Sequence, residues 1–175
     1  AVSLALVRAG IDILALDDDV AENTRMLISP DCWRTTFKPH VRTIIATCRA
    51  ANPDLFVFWH SDGNIEPIIP DLIEIGFDLL HPLQPSSMDL AEIAGTFHGQ
   101  ICFGGGIDVQ ALLPVAKPEE VENEIRHLID LLDGPHGGYV MAPTNSIMPE
   151  TPLENIEAMV RTAGEYSQLK RQARG

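Results

Sequence analysis

The feature that most constrains this chain is a unit that occurs five times. A short apolar run stops in polar residues or glycine, and a helical pattern follows. The runs are IDILALDDD (Ile11–Asp19), LFVFWHSDG (Leu55–Gly63), FDLLHPLQP (Phe77–Pro85), QICFGGGID (Gln100–Asp108) and GYVMAPTNS (Gly138–Ser146). Each is apolar on both faces, as a parallel strand covered on both sides must be. Strands that alternate with helices build a parallel sheet with right-handed crossovers. Two architectures satisfy the pattern: an open doubly wound sheet, or part of a (β/α)8 barrel, which takes about 250 residues when complete. Five strands do not close a barrel.

The segments between the runs carry helix signals. Ser29 stands where an N-cap should and Pro30 at the first helical position; Trp33, Phe37, Val41, Ile44, Ile45 and Cys48 then recur at steps of three and four. Pro39 is predicted to kink or divide that helix. NIEPIIPDLIEIG predicts a helix capped by Asn64 and stopped at Gly76, and SMDLAEIAGTF predicts another. KPEEVENEIRHLIDLLDG opens with acids in its first turn and ends at Gly134. The last helix starts with a T-x-x-E capping box, Thr151 to Glu154, and Pro152. The opening AVSLALVRAG has no Met and no charged leader region, and reads as a helix ending at Gly10 in the interior of a longer protein.

Composition narrows the function classes. The chain has 175 residues, enough to bury a sizeable core, with 45% apolar and 21% charged residues. No stretch approaches the roughly 18 apolar residues of a membrane span. A formal charge of −13 disfavours nonspecific nucleic-acid binding, which needs basic stripes, and docking on anionic membranes. Cys32, Cys48 and Cys102 are widely spaced with no C-x-x-C, so reduced thiols in a cytoplasmic protein are expected.

In either architecture sites lie at the carboxyl ends of strands. The polar residues predicted there are Asp17, Asp18 and Asp19; His60 and Asp62; His81 and Gln84; Asp108; Thr144 and Asn145. His60 and Asp62 are two apart, so on an extended strand end they point the same way. They could share a metal such as zinc, or form an acid/base pair. In the alternative, Asp62 caps a turn and His60 packs on Trp59. Pro82 holds His81 extended, to meet a ligand or to sit as a hydrogen-bonded core histidine. Gln84 could bond a ligand or satisfy the loop backbone. Three charged carboxylates cannot all face one cavity cheaply; one, taken as Asp18, is the candidate ligand contact, and at least one turns to solvent. GGGID lets a backbone approach a ligand closely at Gly105, or forms a tight turn capped by Asp108. It fits no nucleotide-binding fingerprint, and no G-x-S-x-G elbow is present.

Taken together, HSDGNIEPIIPDLIEIGFDLLHPLQP, CFGGGID, GGYVMAPTNSIMPETPLENIEAM and ISPDCWRTTFKPHVRTII resemble the uroporphyrinogen decarboxylase superfamily over nearly the whole chain. That resemblance implies a (β/α)8 barrel. Residues 1–175 would be a single domain, its C-terminal portion of about five βα units, with the early strands upstream. The superfamily joins porphyrin-pathway decarboxylases with cobalamin- or corrinoid-linked methyltransferases. The methyltransferase branch carries H-x-C-G-N and a later Cys, whose thiolates hold a zinc that activates a thiol acceptor. Here His60 is kept, Asp62 stands at the first Cys position and Asn145 at the second, so an oxygen-rich divalent-metal site, or none, is expected. The decarboxylases carry G-N-L-D-P and a later His, work without a cofactor, and match GGGIDV and APTNSI less well. The chain therefore resembles the methyltransferase branch more. The resemblance implies a cytoplasmic enzyme moving a methyl group between a small methylated substrate and a corrinoid or thiol acceptor, with a corrinoid protein as partner. His60, Asp62 and Asn145 would be catalytic, with zinc or another divalent metal on His60 and Asp62. Asp18, His81, Gln84, Gly105, Asp108 and Thr144 would line the substrate. Tetrapyrrole decarboxylation, a lyase step of porphyrin biosynthesis, is the alternative; a non-catalytic binding protein or inactive fragment is the second. Unpaired sheet edges imply a homo-oligomer or reliance on an N-terminal half.

Overall fold

The computed structural model describes residues 1–174. All five runs are strands: β1 Ile13–Asp17, β4 Phe56–His60, β5 Leu79–Leu83, β6 Cys102–Ile107 and β7 Tyr139–Pro143. They form one sheet in the order β1-β4-β5-β6-β7, with parallel pairing. A doubly wound sheet reverses its strand order at a switch point. Here spatial order follows chain order throughout, so this is part of a TIM-barrel-like fold. The sequence did not predict the hairpin of β2 (Ala21–Glu22) and β3 (Arg25–Met26), whose two-residue strands are too short to show alternation. The helices are α1 Val2–Arg8, α2 Pro30–Cys32, α3 Lys38–Ala51, α4 Ile69–Ile75, α5 Leu90–Phe97, α6 Pro118–Leu132 and α7 Leu153–Arg174. Packing groups the chain into two compact units, Ala1–His81 and Pro82–Gly175.

In the first unit β4 shows the period-2 logic of a strand. Val57 and Trp59 are buried on one face, and Phe56, Phe58 and His60 are half-buried on the other. Trp59 meets Trp33 and Phe77 edge-to-face, at centroid distances of 6.4 and 5.2 Å. Trp33 opens a five-residue π-helical segment, Trp33–Phe37, that joins α2 to α3. The helix does start on Ser29, whose Oγ accepts the Cys32 N–H at 3.1 Å, and it is divided just before Pro39, which has no N–H to carry the ladder onward. A 3₁₀ turn, Glu66–Ile68, leads into α4, which stops at Gly76. Ion pairs join α4 to the preceding helical segments. Asp71, 8% exposed, accepts from Arg34 Nε at 2.9 Å and Lys38 Nζ at 2.6 Å, while Glu74 takes Lys38 and Arg42. Burial pushes the Asp71 carboxyl upward, but Lys38 and Arg34 outweigh it and hold the group below the usual carboxylate range.

In the second unit Asp89 caps α5, accepting from the Ala91 and Glu92 N–H groups. Asn155 of α7, 1% exposed, donates to the Leu113 and Ala116 carbonyls at 2.9 and 2.8 Å. The predicted cap on Thr151 is not made: its Oγ1 is buried with no hydrogen-bond partner. The reciprocal bond appears instead at α6, where Glu120 Oε2 accepts the Lys117 N–H at 2.7 Å.

Candidate metal centre

Strand register builds the site. In the parallel pairing Asp17 lies opposite His60, and His60 opposite His81. Three neighbouring strands, β1, β4 and β5, thus present an acid and two imidazoles in one row, with Asp17 and His60 ending their strands and His81 at the middle of β5. The loops beyond β1 and β4 are stitched together. The Asp18 N–H donates to the His60 carbonyl (3.1 Å), Val20 N–H to Ser61 Oγ (3.1 Å), Asp62 N–H to Asp19 Oδ1 (2.9 Å), and Asn64 N–H to the Glu22 carbonyl (2.9 Å). Ser61 is fully buried in this seam. Gly63 makes the closeness possible: its φ is +85°, and a Cβ there would lie 2.6 Å from the Glu22 carbonyl carbon and oxygen.

This stitching gathers one ligand atom each from Asp17, Asp19 and His60 within 4.8 Å of one another. Asp17 and Asp19 are exposed and His60 is half-buried. Two carboxylate charges that close repel by on the order of 1–4 kcal/mol, a cost that a divalent cation reverses. The donor set, two carboxylates and an imidazole, suits zinc or a harder first-row metal. The cluster therefore fits a cation, with Asp17 and Asp19 beside His60. Asp62 enters through its backbone N–H, which fixes Asp19, and Asp18, between the two acids, is exposed. Asp17 and Asp19 are two apart, so the parity that paired His60 with Asp62 was already a signal for them. The register adds Asp17 to the row of His60. His60 Nδ1 lies 2.9 Å from His81 Nδ1, with the rings stacked at 27° and 5.1 Å between centroids. Trp59 points to the opposite face from His60, so His60 does not pack on it. A cavity of about 560 Å³ opens beside the same loop, lined by residues that include Met26, Leu27, Ser29 and Asn64. That size suits a small organic ligand.

The other candidates lie in the second unit. Asp108 Oδ1 accepts the Gln110 and Ala111 N–H groups at 2.6 and 2.8 Å, so it caps the turn after β6. The glycine run allows a close approach within the protein: a Cβ on Gly105 would meet Pro82 at 2.9 Å, and the Gly105 carbonyl accepts from the Tyr139 hydroxyl at 2.8 Å. Burial raises the Tyr139 phenol pKa, which keeps it a neutral donor. Thr144 is buried, its N–H bonded to the Ile107 carbonyl at 2.8 Å. Asn145 is exposed and its Oδ1 accepts the Ser146 N–H. Gln84 is buried, and its carbonyl accepts from Ser87 and Met88 N–H. No helix among the described residues is long and apolar enough to cross a membrane.

The family model "Uroporphyrinogen decarboxylase (URO-D)" matches residues 1–166. A methylcobamide:CoM methyltransferase MtaA of Methanosarcina barkeri is 28% identical over 163 residues, 93% of this chain and 44% of that protein. A uroporphyrinogen decarboxylase of Trichodesmium erythraeum is 22% identical over 163 residues, 93% of this chain and 43% of that protein. A solved structure of a methyltransferase from Methanosarcina mazei matches with a TM-score of 0.72 and 25% identity, over 94% of this chain and 45% of that one. The chain thus spans less than half the length of these relatives. With a family match over nearly its whole length, on five parallel strands in barrel order, the chain belongs to the uroporphyrinogen decarboxylase (URO-D) family.

Proposed function

We propose that this chain carries the metal-holding part of a methyltransferase, in which a divalent cation on Asp17, Asp19 and His60 serves methyl transfer from a small methylated compound or methylcorrinoid to a thiol acceptor. The observation that carries the reading is the gathering of those three ligand atoms within 4.8 Å. The likeness to MtaA and to a solved methyltransferase supports the direction of the chemistry. Asp17, Asp19 and His60 would hold the cation, which would supply Lewis acidity favouring the ionised, nucleophilic form of an acceptor. The chain's own residues do the rest. Asp17 and Asp19 supply charge that selects a cation over a neutral ligand. The Asp62 N–H and the buried Ser61 hold the two loops at fixed spacing. Neither Asp62 nor Asn145 restores the thiolates that the methyltransferase branch carries, so the donor set is harder and favours a metal that accepts oxygen ligands.

The test is metal analysis and methyl transfer from methylcobalamin to a thiol, on the full-length protein. Asp17→Asn, Asp19→Asn and His60→Ala should each lower metal affinity tenfold or more and abolish transfer. A metal-free protein that transfers no methyl group sinks the reading. Consumption of uroporphyrinogen by that same protein would place it with the decarboxylases instead.

A further inference from the structure

We propose that His81 is a positioning residue for the metal centre: it engages His60 Nδ1, so that His60 offers Nε2 to the cation. The inference rests on the metal reading above and adds a residue and an atom to it. The Nδ1 atoms of His60 and His81 are 2.9 Å apart. Of two neutral imidazoles at that distance, one Nδ1 must carry the proton and the other must present its lone pair. Two arrangements are open. In one, His60 donates from Nδ1 and its Nε2 is an unprotonated lone pair. In the other, His60 accepts at Nδ1 and its Nε2 carries the proton, which leaves it no nitrogen for a metal. A cation beside Asp17 and Asp19 selects the first. His81 is then the acceptor, in the place that a carboxylate or carbonyl takes behind most metal-bound histidines.

His81 is well held for this. It pairs with His60 across β4 and β5, and its carbonyl accepts the Ser61 N–H at 3.1 Å, the residue that stitches the two loops. The ring of Phe58 meets the His81 ring edge-to-face at 6.4 Å, and the two imidazoles stack. Ring and backbone are both fixed, so the His60 ring is set before a cation arrives. Loss of such an outer partner typically costs 10–100-fold in metal affinity.

The experiment uses full-length protein, zinc titrated against a chromophoric chelator, and long-range ¹H–¹⁵N spectra that read each imidazole's tautomer. His81→Leu should weaken zinc binding 10–100-fold. His81→Asn, whose side-chain oxygen can take the place of Nδ1 as acceptor, should restore most of it. In the zinc-loaded wild type, His60 should carry its proton on Nδ1. Wild-type zinc affinity in His81→Leu, or a zinc-loaded His60 bound through Nδ1, overturns the proposal. The spectra decide even where His81→Leu fails to fold. If His60→Ala and Asp17→Asn weaken zinc binding while His81→Leu does not, only this inference fails; if none of them does, the metal reading fails and takes this one with it.

Discussion

Gly63 shows at the residue scale how a loop can be fixed by one missing side chain. Its φ of +85° alone costs a non-glycine residue about 1–3 kcal/mol. The Cβ would also stand 2.6 Å from Glu22 main-chain atoms, which cannot swing aside as a long side chain can. Gly63→Ala should therefore destabilise the fold by more than the backbone term, and zinc affinity should fall with it because the seam carries Asp19. Gly10 is the control, with φ +94° and nothing within 4 Å of a built Cβ. Urea denaturation of Gly10→Ala should show only the conformational cost, about 1–3 kcal/mol. Equal losses at the two positions would mean that the approach to Glu22 is not the constraint. HSDG was readable as a strand end from its polar residues. The partner it presses on was not, because a two-residue strand leaves no periodic trace in sequence.

At the element scale the helices follow their local signals where backbone chemistry decides, and depart where burial does. Ser29, Asp89 and Gly76 act as their residue types predict. Thr151 is 8% exposed, and its buried hydroxyl makes no cap bond. Asn155 carries no sequence mark of its role, yet it satisfies two carbonyls from a loop some 40 residues away. Asn155→Ala leaves the buried Leu113 carbonyl without its donor and should cost about 1–3 kcal/mol, read from the urea midpoint. The cluster of Asp71 with Arg34 and Lys38 adds a pH dependence. Folding holds the Asp71 carboxyl below its ordinary value, net of burial. Its contribution is therefore fully present above the unfolded carboxyl pKa of about 4 and is lost as pH falls through the lower, folded value. Asp71→Asn should be less stable than the parent at pH 7, and the gap should narrow below about pH 4. A gap that stays constant from pH 7 to pH 3 would show that the carboxylate charge is not what joins α4 to α3.

At the scale of the molecule, the five runs made the strands legible, and the family resemblance chose the barrel. Only the structure gives the register that sets Asp17 beside His60 and His60 beside His81, because register depends on pairing between segments some 20–45 residues apart. The same topology argues the last prediction. Among the described residues β1 pairs only with β4 and β7 only with β6, so each leaves a row of backbone donors and acceptors along its outer side. Neither edge is blunted by charge along its middle. Ile13 of β1 is 57% exposed and Val140 of β7 is 55% exposed. Unpaired edges with exposed β-branched residues template pairing with another chain. We expect the 175-residue chain, expressed by itself, to self-associate in a concentration-dependent way, and Ile13→Lys with Val140→Lys to shift it toward smaller species. Light scattering coupled to gel filtration reads both. A monodisperse species at 19.2 kDa, unfolding in one cooperative step across a hundredfold range of concentration, would show that these edges are protected by means the topology does not contain.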